Sequence, residues 1–435
     1  MRRLYLILCV AMMLLVGCGA EEGSNTSPST ADSNQSESPQ PSSVGMGGIS
    51  KDEILIGMSA AFEGAAQGLG IELYRGSMAY IEEVNQAGGV HGRQIVIHHY
   101  NDGYNPTPAI ENTIHLVEED DVFLLFNYVG TPTVTRVLPL LSRYKDKSMY
   151  LFFPFTGAQP QREAPYDEFV FNLRASYRQE TAGLVDNFVK LNRKRVGVFY
   201  QADAYGQSGS DGVKRALSSY GLEIVGEATY TRNTAFEESY VEQVKILKEA
   251  GAEAIIMIGA YQACAGFIRD VRDEGWDVPI ANVSFVGSES LLNLLSNSES
   301  DLDYTINLIN SQVVPSYEDT SLSAVKEYRE LMDKYASLLP EGVSQEDYEP
   351  LPYSFVSFEG FLNAKLLVEI LEQMGAHPER EGIGATVESI QDLDLGIGVP
   401  VSFGPKTHQG LQTIYYTTVK DDRFVPIEDW EEWEK

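Results

Sequence analysis

Cysteine is scarce in this sequence, which has three in 435 residues. Cys9 and Cys18 lie near the amino terminus, which leaves Cys264 without a partner for an internal disulfide. The scarcity excludes a small fold held together by disulfides. The length instead allows a large apolar core and exceeds what one domain usually holds. We therefore expect two domains that are stabilised by the burial of apolar side chains.

Basic residues are also few, with 32 Lys and Arg against 63 Asp and Glu, and the formal net charge is −31. Such a negative molecule repels phosphate backbones and anionic headgroups, and it slows the approach of strongly anionic ligands. We therefore expect no nucleic acid among its partners.

Signatures of nucleotide, metal and acyl-enzyme chemistry are missing. The sequence has no GxGxxG, GxxxxGK or GxSxG motif. The six histidines are dispersed, and His98 and His99 are adjacent on a predicted strand, so they point to opposite faces and cannot share a metal. We expect no cofactor, no metal site and no enzymatic activity.

Long apolar runs are absent after the first residues of the chain. The most apolar later segment, Val122–Phe126, has the length of a buried strand. The amino terminus carries Arg2 and Arg3 and then a short apolar stretch that ends in Leu15-Val16-Gly17-Cys18. This order is typical of a secretory signal, and its end resembles a bacterial lipobox.

We therefore expect residues 1–17 to be a signal peptide and Cys18 to be lipidated, which holds the protein outside the cytoplasm at a bacterial membrane. The next segment is dominated by Ser, Pro, Gly, Asn, Gln and Thr. It cannot bury enough apolar surface to fold, so residues 18–49 are predicted to be a disordered tether.

From residue 54 onward, short apolar runs alternate with amphipathic stretches, which is typical of α/β layering. Continuous apolar strands between helices indicate parallel sheets that are covered on both faces. The predicted strands are residues 54–56, 95–97, 122–126, 150–153, 196–199, 254–258 and 306–309. A break near residues 171–176 separates two such series, and a long helix over 352–374 and a terminal strand pair around 413–419 follow.

Several segments in order resemble the type I periplasmic binding proteins, in particular the Leu/Ile/Val-binding branch of ABC-transporter substrate-binding lipoproteins. The resemblance is carried by IGMS and FEG at 56–64, IEEVNQAGGVHG at 81–92, NDGYNP at 101–106, PFTGA at 154–158, VFNLRASYRQE at 170–180 and DAYG at 203–206. It implies two Rossmann-like lobes, joined by a multi-strand hinge, that close on a ligand. We expect lobe 1 to comprise residues 50–174 and 312–405, and lobe 2 to comprise 175–311 and 406–435.

The ligand site is expected beyond the carboxyl ends of the strands, where loops lead into helices and backbone N–H groups point outward. Hydroxyls beside small residues at helix starts could bind a carboxylate, and in the resembling family these loops bind the α-carboxylate of the ligand. The lobe 1 candidates are Phe62, Glu63, Tyr128, Gly130, Thr131, Phe155, Thr156 and Gly157.

In lobe 2 the resemblance assigns aromatic walls to Tyr205 and Tyr261 and a carboxylate for the ammonium group to Glu289. Each assignment has an alternative. Thr131 and Thr156 could be helix caps, the tyrosines could pack between the lobes, and Glu289 could sit at a helix start because of the helix dipole. Arg174 and Tyr177 could be hinge residues or could reach the ligand.

The sequence thus predicts a receptor that captures a small ligand, with an α-amino acid as the leading class, and presents it to a membrane permease of an ABC transporter. The alternative is a sensory lipoprotein that keeps the binding step and signals to a receptor or a regulatory partner. The side chain of the ligand stays open.

Overall fold

A parallel sheet forms the core of the first lobe. The structure is a computed structural model and describes residues 46–298 and 300–434. The sheet has the strand order β2-β1-β3-β4-β5. Its strands are β1 (Glu53–Ala60), β2 (Gln94–Asn101), β3 (Leu125–Phe126), β4 (Leu151–Phe152) and β5 (Val170–Phe171). All its neighbours pair in parallel.

The second lobe contains a larger sheet with the order β14-β13-β10-β9-β8-β6-β7. Its first five strands along the chain pair in parallel, whereas β13 runs antiparallel to both β10 and β14. The strands are β6 (Val196–Gln201), β7 (Gly226–Tyr230), β8 (Ala254–Ile258), β9 (Ile280–Asn282), β10 (Leu308–Gln312), β13 (Tyr415–Lys420) and β14 (Arg423–Pro426). A separate antiparallel pair consists of β11 (Leu393–Asp394) and β12 (Pro400–Val401).

Helices cover both sheets. In chain order they are α1 (Gln67–Gln86), α2 (Pro106–Glu118), α3 (Thr131–Arg143), α4 (Tyr177–Lys190), α5 (Ala204–Ser219), α6 (Val241–Glu249), α7 (Tyr261–Asp273), α8 (Ser288–Ser296), α9 (Ser323–Lys334), α10 (Phe355–Met374), α11 (Ile383–Glu388) and α12 (Trp430–Trp433). Lobe 1 owes its core partly to α10, which packs along α1. Their backbones approach so closely that a Cβ on Gly76 would lie 1.8 Å from the carbonyl oxygen of Ser357.

The chain passes between the lobes three times: after β5, after β10 and before β13. Two of these crossings are hydrogen-bonded to each other, because Asn172 N–H donates to His408 O and Leu411 N–H donates to Leu173 O, both at 2.8 Å. These hydrogen bonds hold the two crossing segments in a fixed register with each other.

The α/β class with two parallel-rich sheets is confirmed. Every predicted strand overlaps an observed one, and the long predicted helix is α10. The short strands β5, β7, β9, β11 and β12 were not predicted. No helix in the described ranges is both long and apolar enough to cross a membrane.

The predicted signal peptide and Cys18 lie outside the described residues. The end of the predicted tether does not, since Met46–Gly48 form a turn of 3-10 helix. There the Gly47 N–H donates to a carboxylate oxygen of Asp121 at 2.7 Å. The folded body therefore includes the last residues of that segment.

Candidate functional site

A pair of threonines lies at the carboxyl ends of β3 and β4. The hydroxyl oxygens of Thr131 and Thr156 are 2.6 Å apart, and both side chains are fully buried. Thr131 is the first residue of α3, whose N-cap position is occupied by Gly130 and has no capping side chain. Thr131 is therefore not a helix cap, and its hydroxyl lies at a helix start where an anion is favoured.

Gly130 is required by its neighbours. Its φ of +100° is in the region that favours glycine, and a Cβ there would lie 2.1 Å from a ring carbon of Tyr104. Tyr104, itself at φ +60°, is buried against this helix start, and its hydroxyl accepts a hydrogen bond from Gln201 of lobe 2 at 3.3 Å. Tyr104 thus contacts the threonine loop and the opposite lobe together.

Arg174, in the first crossing, lies between the two lobes and is 1% exposed. Its guanidinium donates to the hydroxyl of Ser284 and lies 3.8 Å from Glu180, both in lobe 2, and 3.6 Å from Glu359 on α10 of lobe 1. Burial alone would lower the pKa of Arg174, but the carboxylates of Glu359 and Glu180 outweigh burial and raise it. The arginine therefore stays charged.

A continuous row of aromatic rings faces this arginine. The Phe155 ring lies 4.6 Å from the Arg174 guanidinium and 5.2 Å from the ring of Phe285. Tyr205 continues the row, at 4.7 Å from Phe285 and 5.2 Å from Tyr177. These rings come from both lobes, so they pack against each other only when the lobes are close together.

Glu289 is buried at the start of α8, beside Tyr317 and Phe355. Neither of its carboxyl oxygens has a hydrogen-bond partner among the described side chains. Burial, and to a smaller extent the nearby Glu72, raises its pKa to about 8. At neutral pH this carboxyl is mostly protonated unless a cation reaches it.

Other buried polar atoms of the cleft are also unpaired in the part of the chain that the structure describes. They include the hydroxyl of Tyr177, which faces the threonine pair, one oxygen of Glu180, and two nitrogens of Arg174. Unpaired buried donors and acceptors each cost about 1–3 kcal/mol, so such a cluster is typical of a binding site rather than of a core.

Direct contacts close the mouth of the cleft. The amide of Asn233 in lobe 2 donates to Gly103 O at 3.2 Å, and the Gly68 N–H on α1 donates to the hydroxyl of Tyr261 at 3.3 Å. The Tyr261 side chain therefore lies between the lobes.

Three of the predicted site residues lie apart from the threonine pair. Glu63 is exposed, and Phe62 packs against Tyr74 and His99 within lobe 1. Tyr128 points to the other side of the sheet, into the core with α2 and α3, where its hydroxyl is 3.1 Å from that of Thr113. The prediction of a Tyr128 side-chain contact is therefore corrected, because the loop turns that side chain into the core.

Of the other predicted site residues, only some lie close to the threonine pair. Gly157 supports the threonine pair, since its carbonyl accepts from the Tyr177 N–H at 2.7 Å and a Cβ on it would meet the Tyr177 ring. Glu289 lies with Tyr317 and Phe355, and no hydrogen bond in the described ranges joins it to the threonine pair. No group of three or more His, Cys, Asp or Glu in those ranges could hold a metal ion.

The sequence reading did not single out Tyr104, Glu180, Phe285 or Glu359. A signal for Glu359 existed, because an acid inside a helix that is apolar nearly all round is buried and needs a partner. Nothing local identified the other three, since their partners come from distant parts of the chain.

Two α/β lobes, three crossings and a buried polar cleft define a hinged binding protein. A family model described as "Periplasmic binding protein" matches residues 53–423. The chain therefore belongs to the periplasmic binding protein family, with the type I fold and in its branched-chain amino acid group.

Two curated relatives are the "Leu/Ile/Val-binding protein homolog 3" of Brucella melitensis and the "Amino acid binding protein" of Pseudomonas aeruginosa. The first is 25% identical over 252 residues, which are 58% of this chain and 65% of the relative. The second is 24% identical over 224 residues, which are 51% and 58%. The chain thus spans less than two thirds of the length of these relatives.

Solved structures resemble this chain over most of its length. A possible leucine/isoleucine/valine-binding protein from Rhodopirellula baltica is 30% identical with a TM-score of 0.77, covering 91% of this chain and all of that one. A branched-chain amino acid ABC transporter protein from Thermus thermophilus with bound valine has a TM-score of 0.74 over 88% of this chain and 97% of that one. Its identity is 15%, so it supports the fold alone.

Proposed function

We propose that this protein is an extracytoplasmic solute-binding lipoprotein of an ABC transporter, which captures an amino acid between its lobes and presents the closed form to a membrane permease. The lobes are those predicted from the sequence, residues 50–174 with 312–405 and residues 175–311 with 406–435. Lobe closure is the response of the protein to its ligand, because contacts from both lobes to one ligand stabilise the closed state over the open one.

The observation that carries this proposal is the set of buried polar groups that both lobes contribute to the cleft. Lobe 1 contributes the threonine pair, whose hydroxyls bond to each other, and lobe 2 contributes the Tyr177 hydroxyl and the Glu289 carboxyl, which have no hydrogen-bond partner in the described ranges. A ligand that hydrogen-bonds to these groups removes their desolvation penalty, and only the closed state lets one ligand reach both sets.

Within this cleft, we assign the α-carboxylate to Thr131 and Thr156, where hydroxyls meet the positive end of α3. The ammonium is assigned to Glu289, the buried carboxyl without a partner. An amino acid with an uncharged side chain has no net charge at neutral pH, which suits a molecule of net charge −31 better than an anionic ligand does.

A thermal-shift screen tests the ligand class. The chain carrying Cys18→Ser is heated with each common amino acid and with sets of amides, carboxylates and sugars, after unfolding and refolding to remove retained ligand. A bound ligand raises the melting temperature by mass action. We expect a rise with one or a few α-amino acids, whereas a rise only with sugars, or with no compound, contradicts the proposal.

Two substitutions test the assigned roles. Thr156→Ala should weaken binding of the amino acid by at most a few kcal/mol, the scale of charge-assisted hydrogen bonds. Glu289→Gln should weaken the amino acid more than its desamino analogue. Thr135→Ala is the matched control, since that hydroxyl donates to Thr131 O within α3. Equal losses for both ligands would remove the role of Glu289.

The lipid anchor has its own test. Mass spectrometry of the mature protein should show an amino terminus at Cys18 with attached acyl chains, and Cys18→Ser should release the protein from the membrane fraction. Release of the unchanged protein by salt alone contradicts the anchor and leaves the ligand assignment standing.

A further inference from the structure

We propose that Arg174 is a positioning residue that links ligand binding to lobe closure, as an electrostatic latch with Glu180 of lobe 2 and Glu359 of lobe 1. The inference rests on the proposed function and extends it, because it assigns the closing step to a residue that none of the proposed ligand contacts includes. Arg174 lies in the crossing between β5 and α4, the segment that must bend when the lobes move.

The lobe 2 side of the latch is rigid. One carboxylate oxygen of Glu180 accepts from the Ser284 N–H and from the Ser311 hydroxyl, both at 2.7 Å. Its other oxygen has no hydrogen bond and lies 3.8 Å from the guanidinium of Arg174. The guanidinium also donates to the Ser284 hydroxyl. Glu180 is thus fixed within lobe 2 with one oxygen left for the arginine.

The lobe 1 side connects the latch to the threonine pair. Arg174 lies 3.6 Å from Glu359 on α10 and stacks on Phe155, the residue before Thr156. Arg162 connects the backbone at Arg174 with the backbone at Thr156, since its guanidinium donates to Arg174 O at 2.9 Å and to Thr156 O at 3.3 Å. A shift of the Thr156 loop on ligand binding is therefore transmitted to Arg174 through side-chain packing and hydrogen bonds.

Charge explains why the latch needs an arginine. Glu180 and Glu359 are both buried; burial and the neighbouring Glu180 raise the pKa of Glu359 to about 7, whereas Arg174 lowers it, so the two carboxyl groups repel each other when both are ionised. A cation between them favours the closed arrangement, whereas without it closure brings two uncompensated carboxylates into the interior. Opening the lobes would let water reach all three groups, so the arginine stabilises the closed state more than the open one.

The experiment compares Arg174→Lys, Arg174→Met and Arg174→Met/Glu359→Gln with the parent protein, all in the chain carrying Cys18→Ser. Arg272→Met is the matched control, because Arg272 is also a buried arginine but donates to carbonyl groups within lobe 2. Calorimetry measures the affinity for L-alanine, L-leucine and L-glutamine, and spin labels on the two lobes measure the interlobe distance with and without each of them.

We expect Arg174→Met to lose about tenfold or more in affinity and to favour the open distance, within the usual range of coupling energies. Arg174→Lys should keep most of the affinity, and the double variant should regain part of it because one of the two carboxylates is gone. Such compensation would not follow from a packing defect. Arg272→Met should keep both affinity and closure.

Parent-like affinity and closure in Arg174→Met would overturn the latch while leaving the receptor function intact. If Arg174→Met does not fold, the lysine and double variants decide, and an Arg174→Lys variant that folds but binds and closes no better than the double variant would overturn the latch too. If the parent responds to none of the three amino acids, the proposed function fails on that ligand class, and the interlobe distances without ligand still test the latch.

Discussion

At the scale of single residues, Glu289 is a carboxyl whose burial makes ionisation costly. Its folded-state pKa of about 8 lies above the ordinary value of 4.5, so between these values the folded protein holds a proton that the unfolded chain releases. The stability that this proton contributes is fully present below about pH 4.5 and is lost as the pH rises through 8.

Glu289→Gln should therefore raise the melting temperature of the ligand-free protein by a few degrees at pH 8, and the gain should shrink as the pH is lowered toward 5. Scanning calorimetry across this range makes the measurement. Glu63→Gln, at an exposed carboxyl, is the control and should follow the parent. A Gln variant that is less stable than the parent at pH 8 would contradict the burial argument.

Gly130 offers a second test at this scale, because the backbone strain of a positive φ can be measured separately from the collision of an added Cβ with the Tyr104 ring. Gly92 also has a positive φ, of +80°, but a Cβ there meets nothing within 4 Å. Gly92→Ala should cost about 1–2 kcal/mol from backbone strain alone. Gly130→Ala should cost clearly more in urea unfolding, since Tyr104 must also move. Equal losses would show that the Tyr104 ring does not constrain the loop.

At the scale of elements, the loop between α9 and α10 is tied to α1 by the buried pair of Arg75 and Glu72, and Glu72 also accepts hydrogen bonds from the Tyr348 hydroxyl and the Leu351 N–H. Arg75 donates to the carbonyl oxygens of Ala336, Leu338 and Leu351 and to both oxygens of Glu72. The Arg75–Glu72 pair is almost fully buried. The loop has no helix or strand of its own, so its position depends on these hydrogen bonds.

Arg75→Met should speed hydrogen exchange over residues 336–351 and cost about 3–5 kcal/mol, because it leaves Glu72 buried without its cation. Lys334→Met is the control, since Lys334 on α9 forms an exposed ion pair with Glu83 on α1. Water and dissolved ions screen that exposed pair, so its loss should change the stability much less than the loss of Arg75 does. Unchanged exchange in the loop would show that packing holds it without Arg75.

Apolar runs made most of these elements predictable. Strands such as β1 and β8 are buried along nearly their whole length, and such strands leave a continuous apolar signal. The strand β7 lies at a sheet edge with exposed positions, and β5 has only two residues, so neither gives that signal.

The site was less predictable than the fold. Loops after strands indicated Thr131 and Thr156, but the face to which a loop side chain points depends on the local turn, as Tyr128 shows. Arg174 stayed ambiguous because its partners, Glu180 and Glu359, become neighbours only when the crossings bring two lobes together.

At the scale of the whole molecule, the net charge of −31 has a measurable effect. Like charges on a folded body repel one another more strongly than in the expanded chain, and dissolved salt screens them over about 10 Å at 0.1 M. Raising NaCl from low to physiological concentration should therefore raise the melting temperature. A parallel series in sucrose separates screening from general solute effects, and a melting temperature that falls with NaCl would contradict the argument.

The packing of α1 against α10 also bears on how the protein is made. The ribosome releases α1 long before α10, and until then the apolar face of α1 lacks its main cover. Contacts between such distant segments form late and slow the folding of a domain. We therefore expect lobe 1 of the nascent chain to complete its core only after α10 has been synthesised.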